Sequence, residues 1–156
     1  MARQIRFRII LSFLFFMPVF LSAQTAAELE NILDSPAVNC SRAAWFVEAA
    51  TGSSAATGNG SEAEEAFNSV MSKGWLPKNT AAEDPISLGG LSFLLMKAFG
   101  IKGGMMYAIF PGPRYAYRTM VSRSFIQGAA DPAMTVSGDR FLMILGNVLN
   151  DAGGEE

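Results

Sequence analysis

Apolar residues recur at intervals of three and four along most of this chain, in stretches separated by short polar loops. The clearest example is residues 116–149, where one apolar stretch ends near Gly128, a polar turn follows, and a second stretch occupies 141–149. This spacing places apolar side chains on one face of a helix. The pattern therefore predicts a helix, a tight loop and a second helix.

The same arrangement occurs three times. Residues 66–67 match 116–117 at a shift of 50, and after the loop Leu88 matches Val136 at a shift of 48, with Val38 in the same register. The predicted units cover about 25–52, 61–100 and 114–149. Because units of this size cannot bury their apolar faces alone, they predict an all-α fold. In this fold, three helix-loop-helix pseudo-repeats pack into one compact domain over 24–150.

Three stretches depart from the repeat. Residues 51–61 are small and polar and predict a flexible linker, and the acidic tail 151–156 is expected to be disordered. Residues 105–110 lie between a Gly-Gly pair and a Pro-Gly-Pro sequence, which exclude a long helix. A short extended segment and a buried loop both remain open there.

The first 23 residues have the composition of a secretory signal peptide. Arg3, Arg6 and Arg8 precede an apolar run over 9–21, and Ser22-Ala23 supplies a small-residue cleavage site. The run is shorter than the roughly 20 apolar residues that a transmembrane helix needs. We therefore expect an exported protein, periplasmic or associated with the cell envelope, with no membrane span in the mature chain.

Removing this segment makes the chain more acidic. The full sequence has 12 basic and 14 acidic residues, so loss of three arginines leaves nine against 14, a net charge of −5. Nucleic acid is therefore excluded as an expected partner, since its binding depends on neutralising phosphates. The single cysteine, Cys40, cannot form an intramolecular disulfide and is expected to be buried.

The third unit resembles S-layer homology repeats. In that family an aromatic or aliphatic residue and a glycine end the first helix, an Asp/Pro loop follows, and Ile-Thr-Arg-Ala-Glu opens the second helix. The matching residues here are Phe125-Ile126-Gln127-Gly128, Asp131-Pro132 and Val136-Ser137, with a weaker match at Asp84-Pro85 and Leu88. The resemblance implies a compact prism of three units and binding to cell-wall glycan.

The chain departs from that family at the residues that engage the glycan. Cys40, Gly90 and Gly138 fall where the arginine is expected, and no unit has the glutamate. The resemblance therefore supports the helical fold more than it supports glycan binding. It leaves two partners open, an envelope glycan and an envelope protein.

The residue types present argue against an enzyme. The chain has no histidine, which excludes Ser-His-Asp and Cys-His catalysis and removes the commonest metal ligand. No Ser-x-x-Lys motif occurs. We expect no catalytic residues, no metal site and no cofactor.

One group of residues has the chemistry of a binding site. Arg114, Tyr115, Arg118 and Arg123 lie close together in sequence, and Trp75 is a further aromatic candidate. Arginines beside aromatic rings suit stacking on sugars or pairing with carboxylate or phosphate groups. The sequence thus predicts a non-catalytic envelope protein, a structural or binding module. The alternative is a periplasmic protein-interaction subunit of a larger assembly that binds no glycan.

Overall fold

The structure is a computed structural model that describes residues 29–52, 60–128 and 131–153. The predicted signal peptide, most of the linker 51–61 and the last three residues of the tail lie outside these ranges. Within them, no helix is long and apolar enough to cross a membrane.

The described ranges contain helices and no β-strand, which confirms the all-α prediction. Residues 29–33 are helical. Six labelled helices follow: α1 Cys40–Ala50, α2 Gly60–Ser72, α3 Leu88–Ala98, α4 Met105–Ile109, α5 Pro113–Ser122 and α6 Gly138–Gly153. The last helix therefore includes 151–153, the first part of the predicted tail.

Polar caps and glycines set the helix ends. The Asn39 side chain accepts a hydrogen bond from the Arg42 amide at 2.9 Å, and Ser87 Oγ accepts one from the Gly90 amide at 3.1 Å. Each bond satisfies an amide that has no partner within its own helix. After α2 the chain turns at Gly74, whose φ of 67° favours glycine.

A ring of three backbone hydrogen bonds joins the loops of the three units. The Val38 amide donates to the Val136 carbonyl at 2.9 Å, Val136 to Ile86 at 3.1 Å, and Ile86 to Val38 at 2.8 Å. All three side chains are buried. Each unit thus donates to one neighbour and accepts from the other, which closes the domain around an approximate threefold axis.

This ring corrects the register of the repeat. Ile86, and not Leu88, is the counterpart of Val38 and Val136. The shift between the second and third units is therefore 50 throughout, and the residue of the second unit that matches Cys40 and Gly138 is Leu88 instead of Gly90. The prediction was two residues out because α3 is apolar on nearly all sides, so apolar spacing alone does not fix its phase.

A second set of bonds repeats with the same symmetry. The amides of Cys40, Leu88 and Gly138, each at the start of a long helix, donate to the carbonyls of Asp84, Met134 and Ser35, all at 2.9 Å. Isolated antiparallel bridges pair Asn39 with Pro85 and Ser87 with Thr135. The first residue of each of these three helices is thus hydrogen-bonded to the backbone of a neighbouring unit.

The core fills the space between these helices. α1 packs along α2, and α3 packs along α5, so partners come from neighbouring units. In α3 every residue from Leu88 to Met96 is buried. The ring of Phe46 in α1 meets that of Phe141 in α6 edge-on, with centroids 5.9 Å apart. Each unit therefore buries its apolar face against another unit.

The segment 101–113 differs from both alternatives that the sequence left open. Residues 105–109 form α4, a single helical turn, instead of an extended segment, and they are not a buried loop, because most of their side chains are exposed. The turn closes when the Ala108 amide bonds to the Gly104 carbonyl at 3.1 Å. The flanking Gly and Pro residues limit the helix to this length.

Candidate binding site

Two of the residues singled out from the sequence, Tyr115 and Arg118, lie together in an open groove between α4 and α5. Residues 104–107 form one wall, and Tyr115, Arg118, Thr119 and Ser122 form the other. The groove has a volume of about 290 Å³. We call it the α4–α5 groove.

The local sequence explains why these side chains share one wall. Pro113 fixes the first turn of α5, and helical spacing then places Tyr115, Arg118 and Ser122 on one side. Ala116 and Met120, on an adjoining side of the helix, are fully buried. The groove wall is therefore held rigidly by the core.

The hydroxyl groups on this wall are hydrogen-bonded within α5. Thr119 Oγ1 donates to the Tyr115 carbonyl at 3.1 Å, and Ser122 Oγ donates to the Thr119 carbonyl at 2.8 Å. Each hydroxyl oxygen keeps lone pairs that can accept a further hydrogen bond. The wall thus combines an aromatic ring, a guanidinium group and hydroxyl acceptors.

Tyr107 holds α4 against the body of the domain. Its ring meets Phe93 edge-on at a centroid separation of 6.4 Å, and it packs so close to Gly103 that a Cβ atom there would collide with it. Among the described residues, its buried hydroxyl has no hydrogen-bond partner. Burial raises the pKa of this phenol, so Tyr107 stays neutral.

The rest of α4 projects into solvent. Large apolar side chains in α4 and directly after it are highly exposed, Met105 by 78%, Ile109 by 59% and Phe110 by 62%, and we call these three residues the α4 projection. The sequence did not predict this surface, because Met and Phe residues more often fill cores. The sequence feature that could have indicated this exposure is the short length of the segment between the glycines before it and the prolines after it.

The sequence segment that contains this projection carries basic residues and no acidic ones. From Pro85 to Ala130 the sequence has five basic residues and no acidic residue, whereas all 14 acidic residues lie outside that segment. The basic residues are Lys97, Lys102, Arg114, Arg118 and Arg123. An acidic protein thus has one basic segment, and α4 lies within it.

The structure does not place the other predicted site residues in the groove. Arg114 is exposed at the start of α5, four residues before Arg118, and does not line the groove. Trp75 follows α2, where the Lys73 ammonium lies 4.6 Å from its ring centroid.

Arg123 lies at a different cavity, of about 340 Å³, beside Phe99 and Val148. Its guanidinium forms an exposed ion pair with Asp151 at 3.6 Å and donates to the Lys102 carbonyl at 3.4 Å. Arg123 is therefore engaged within the domain, apart from Tyr115 and Arg118.

The remaining reactive group is buried. Cys40 is 2% exposed, and burial, with a smaller contribution from Asp84, raises the pKa of its thiol to about 11. Its reactive thiolate form is therefore scarce at neutral pH. In the described ranges no three His, Cys, Asp or Glu residues are grouped to hold a metal ion.

No protein-family model matches this sequence, and no curated protein or solved structure matches the chain. The resemblance to S-layer homology repeats therefore stays a prediction.

Proposed function

We propose that this protein is a non-catalytic, exported module of the cell envelope that binds its ligand through the α4–α5 groove. The observation that carries the proposal is the juxtaposition of Tyr115 and Arg118 in one exposed groove. Export is supported by the composition of residues 1–23. N-terminal sequencing of the protein from the exported fraction tests that step, and a chain starting at Gln24 is expected.

An envelope glycan is the first candidate ligand. The Tyr115 ring offers an apolar face for a sugar, and the Arg118 guanidinium can donate two parallel hydrogen bonds to a carboxylate. A groove of about 290 Å³ is at the small end for ligand sites, so it suits one residue of a polymer. Closure of three units around an approximate threefold axis, as the family resemblance implies, also supports this candidate.

Co-sedimentation with purified peptidoglycan sacculi tests the glycan. We expect the wild-type protein to pellet, and Tyr115→Ala and Arg118→Ala each to weaken binding about tenfold, which corresponds to about 1.4 kcal/mol. Lys78→Ala removes an exposed lysine that does not line the groove and serves as the charge control. Wild-type protein that stays in the supernatant would contradict glycan binding.

A protein-interaction subunit is the second candidate, favoured by the exposure of Met105, Ile109 and Phe110. Exposed apolar patches of this kind are common at protein interfaces. A pull-down from envelope extract should then recover one stoichiometric partner with the wild-type protein and lose it with Phe110→Ser. If no partner is recovered, this candidate fails.

A further inference from the structure

We infer that the α4 projection, with the basic residues beside it, docks this protein on the surface of an anionic phospholipid bilayer. The inference rests on the proposed function, since it takes the α4–α5 groove and the α4 projection, together called the α4–α5 face, as the binding face of an exported protein. It specifies the surface that this face contacts. It also accounts for side chains that glycan binding leaves unexplained.

The shape of α4 suits insertion into a lipid interface. Among residues 104–111 only Tyr107 is partly buried, and all the others are exposed. The apolar side chains of Met105, Ile109 and Phe110 therefore project away from the domain, while Tyr107 holds the same helical turn against Phe93. Apolar side chains that project in this way can enter the boundary between headgroups and acyl chains.

The charges beside the projection identify the lipid class. Arg118 shares the groove with Met105 and Met106, and Arg114 lies one helical turn before Arg118. Lys102 is exposed three residues before Met105. Each cation near an anionic membrane strengthens binding about fivefold, and this attraction weakens with salt.

The charge of this face also favours a bilayer over a second copy of the chain as its partner. Two copies meeting through this face would bring Arg118 of both copies together, and segment 85–130 has no acidic residue to offset them. Like charges that approach in this way repel each other. An anionic bilayer instead complements the basic residues and accepts the apolar side chains at the same time.

Vesicle flotation of the full-length exported protein tests the inference. One set of vesicles contains phosphatidylcholine alone, and the other contains about one third phosphatidylglycerol. We expect wild-type protein to float with the anionic vesicles at least tenfold more strongly, and to be released at roughly 0.5 M salt. Ile109→Ser with Phe110→Ser should lose about tenfold or more of that binding.

Matched variants separate the apolar and electrostatic contributions. Arg114→Gln with Arg118→Gln should weaken anionic binding about 25-fold, as two cations at about fivefold each predict. Met143→Ser and Lys78→Gln alter an exposed apolar residue and an exposed lysine outside the α4–α5 face and should bind like wild type. Circular dichroism checks that each variant keeps its helical fold.

A fluorescent reporter distinguishes insertion from surface attraction. Phe110→Trp places an indole on the projection, whereas the native Trp45 and Trp75 are buried and half-buried elsewhere. We expect its emission to shift to shorter wavelength with anionic vesicles and to be quenched by brominated acyl chains. The wild-type protein, measured in the same way, should change little.

Four results would overturn the inference. If wild-type protein fails to float with anionic vesicles, a bilayer is excluded as the partner. If Ile109→Ser with Phe110→Ser leaves flotation unchanged, the binding is electrostatic attraction to the surface without insertion. A dimer in sedimentation velocity that Phe110→Ser dissociates would assign the face to a second copy. Sacculus binding that Tyr115→Ala abolishes, without vesicle binding, would overturn the inference and leave the proposed function intact.

Discussion

The first residue of α6, Gly138, lies directly against the backbone carbonyl of Ile32. A Cβ atom at position 138 would overlap that carbonyl oxygen, and the Gly138 amide donates to the Ser35 carbonyl at 2.9 Å. The third unit thus meets the first backbone to backbone, at a distance that only glycine permits. A larger side chain at position 138 is therefore excluded for a structural reason.

Gly138→Ala should destabilise the fold by about 2 kcal/mol or more, because the added methyl group must push the two backbones apart. The obstacle is main chain, so rotation of a side chain cannot relieve it. The free energy of unfolding, measured by urea denaturation followed by circular dichroism, checks this prediction.

The same helix supplies a matched control in Gly146, around which a Cβ atom would have no neighbour within 4 Å. Gly146→Ala adds the same methyl group inside α6, where alanine favours the helix by up to about 1 kcal/mol. We expect it to stabilise the protein. Equal effects of the two substitutions would contradict the close approach at Gly138.

The sequence could predict the helical class and the three units, because apolar spacing and capping residues act locally. It could not fix the register between units. The side chains of α3 are buried on all sides, so its pattern fits more than one phase. What sets the phase is the backbone bonding among Val38, Ile86 and Val136, which are distant in sequence.

The candidate site was predictable to a similar degree. Tyr115 and Arg118 are close in sequence, and helical spacing alone brings them to one wall. The sequence could not show that Arg123 turns away to pair with Asp151, since that contact depends on how α6 packs. It also could not show that α4 projects, because Met and Phe residues give no sign of their exposure.

The backbone ring predicts a specific pattern of amide hydrogen exchange. The amides of Val38, Ile86 and Val136 are buried between three units, so they should exchange only when the whole domain unfolds. The amide of Ala108, bonded within the exposed turn α4, serves as the comparison and should exchange orders of magnitude faster. Fast exchange at any one of the three would mean that the ring opens locally.

A buried carboxylate joins α1 to α2. Glu48 Oε1 accepts from Ser69 Oγ at 2.6 Å and from the Lys73 ammonium at 2.7 Å, and its side chain is 7% exposed against 38% for Lys73. Lys73→Met leaves a buried charge without its cation. Because Lys73 is partly solvated, we expect a loss of about 1 to 2 kcal/mol in unfolding free energy.

A double-mutant cycle isolates this ion pair. Glu48→Gln removes the buried charge that Lys73→Met leaves without a cation. The double variant should therefore be more stable than the sum of the two single losses implies. Lys78→Met, at an exposed lysine in the following loop, should change stability by no more than about 0.5 kcal/mol. Strict additivity would show that the pair contributes nothing.

The Cys40 thiol should make stability fall in alkaline solution. Burial raises its pKa from 9.0 to about 11, so above pH 9 the unfolded chain loses this proton while the folded chain retains it. The unfolded state then binds fewer protons, so stability is fully present below about pH 9 and is lost between 9 and 11, by at most about 2 to 3 kcal/mol. The test compares the pH slope of wild type with that of Cys40→Ala, so that the contributions of all other groups cancel. The variant should be less stable at pH 7 because of the lost sulfur, yet show a shallower alkaline slope, and identical slopes would mean that the folded thiol ionises as freely as the unfolded one.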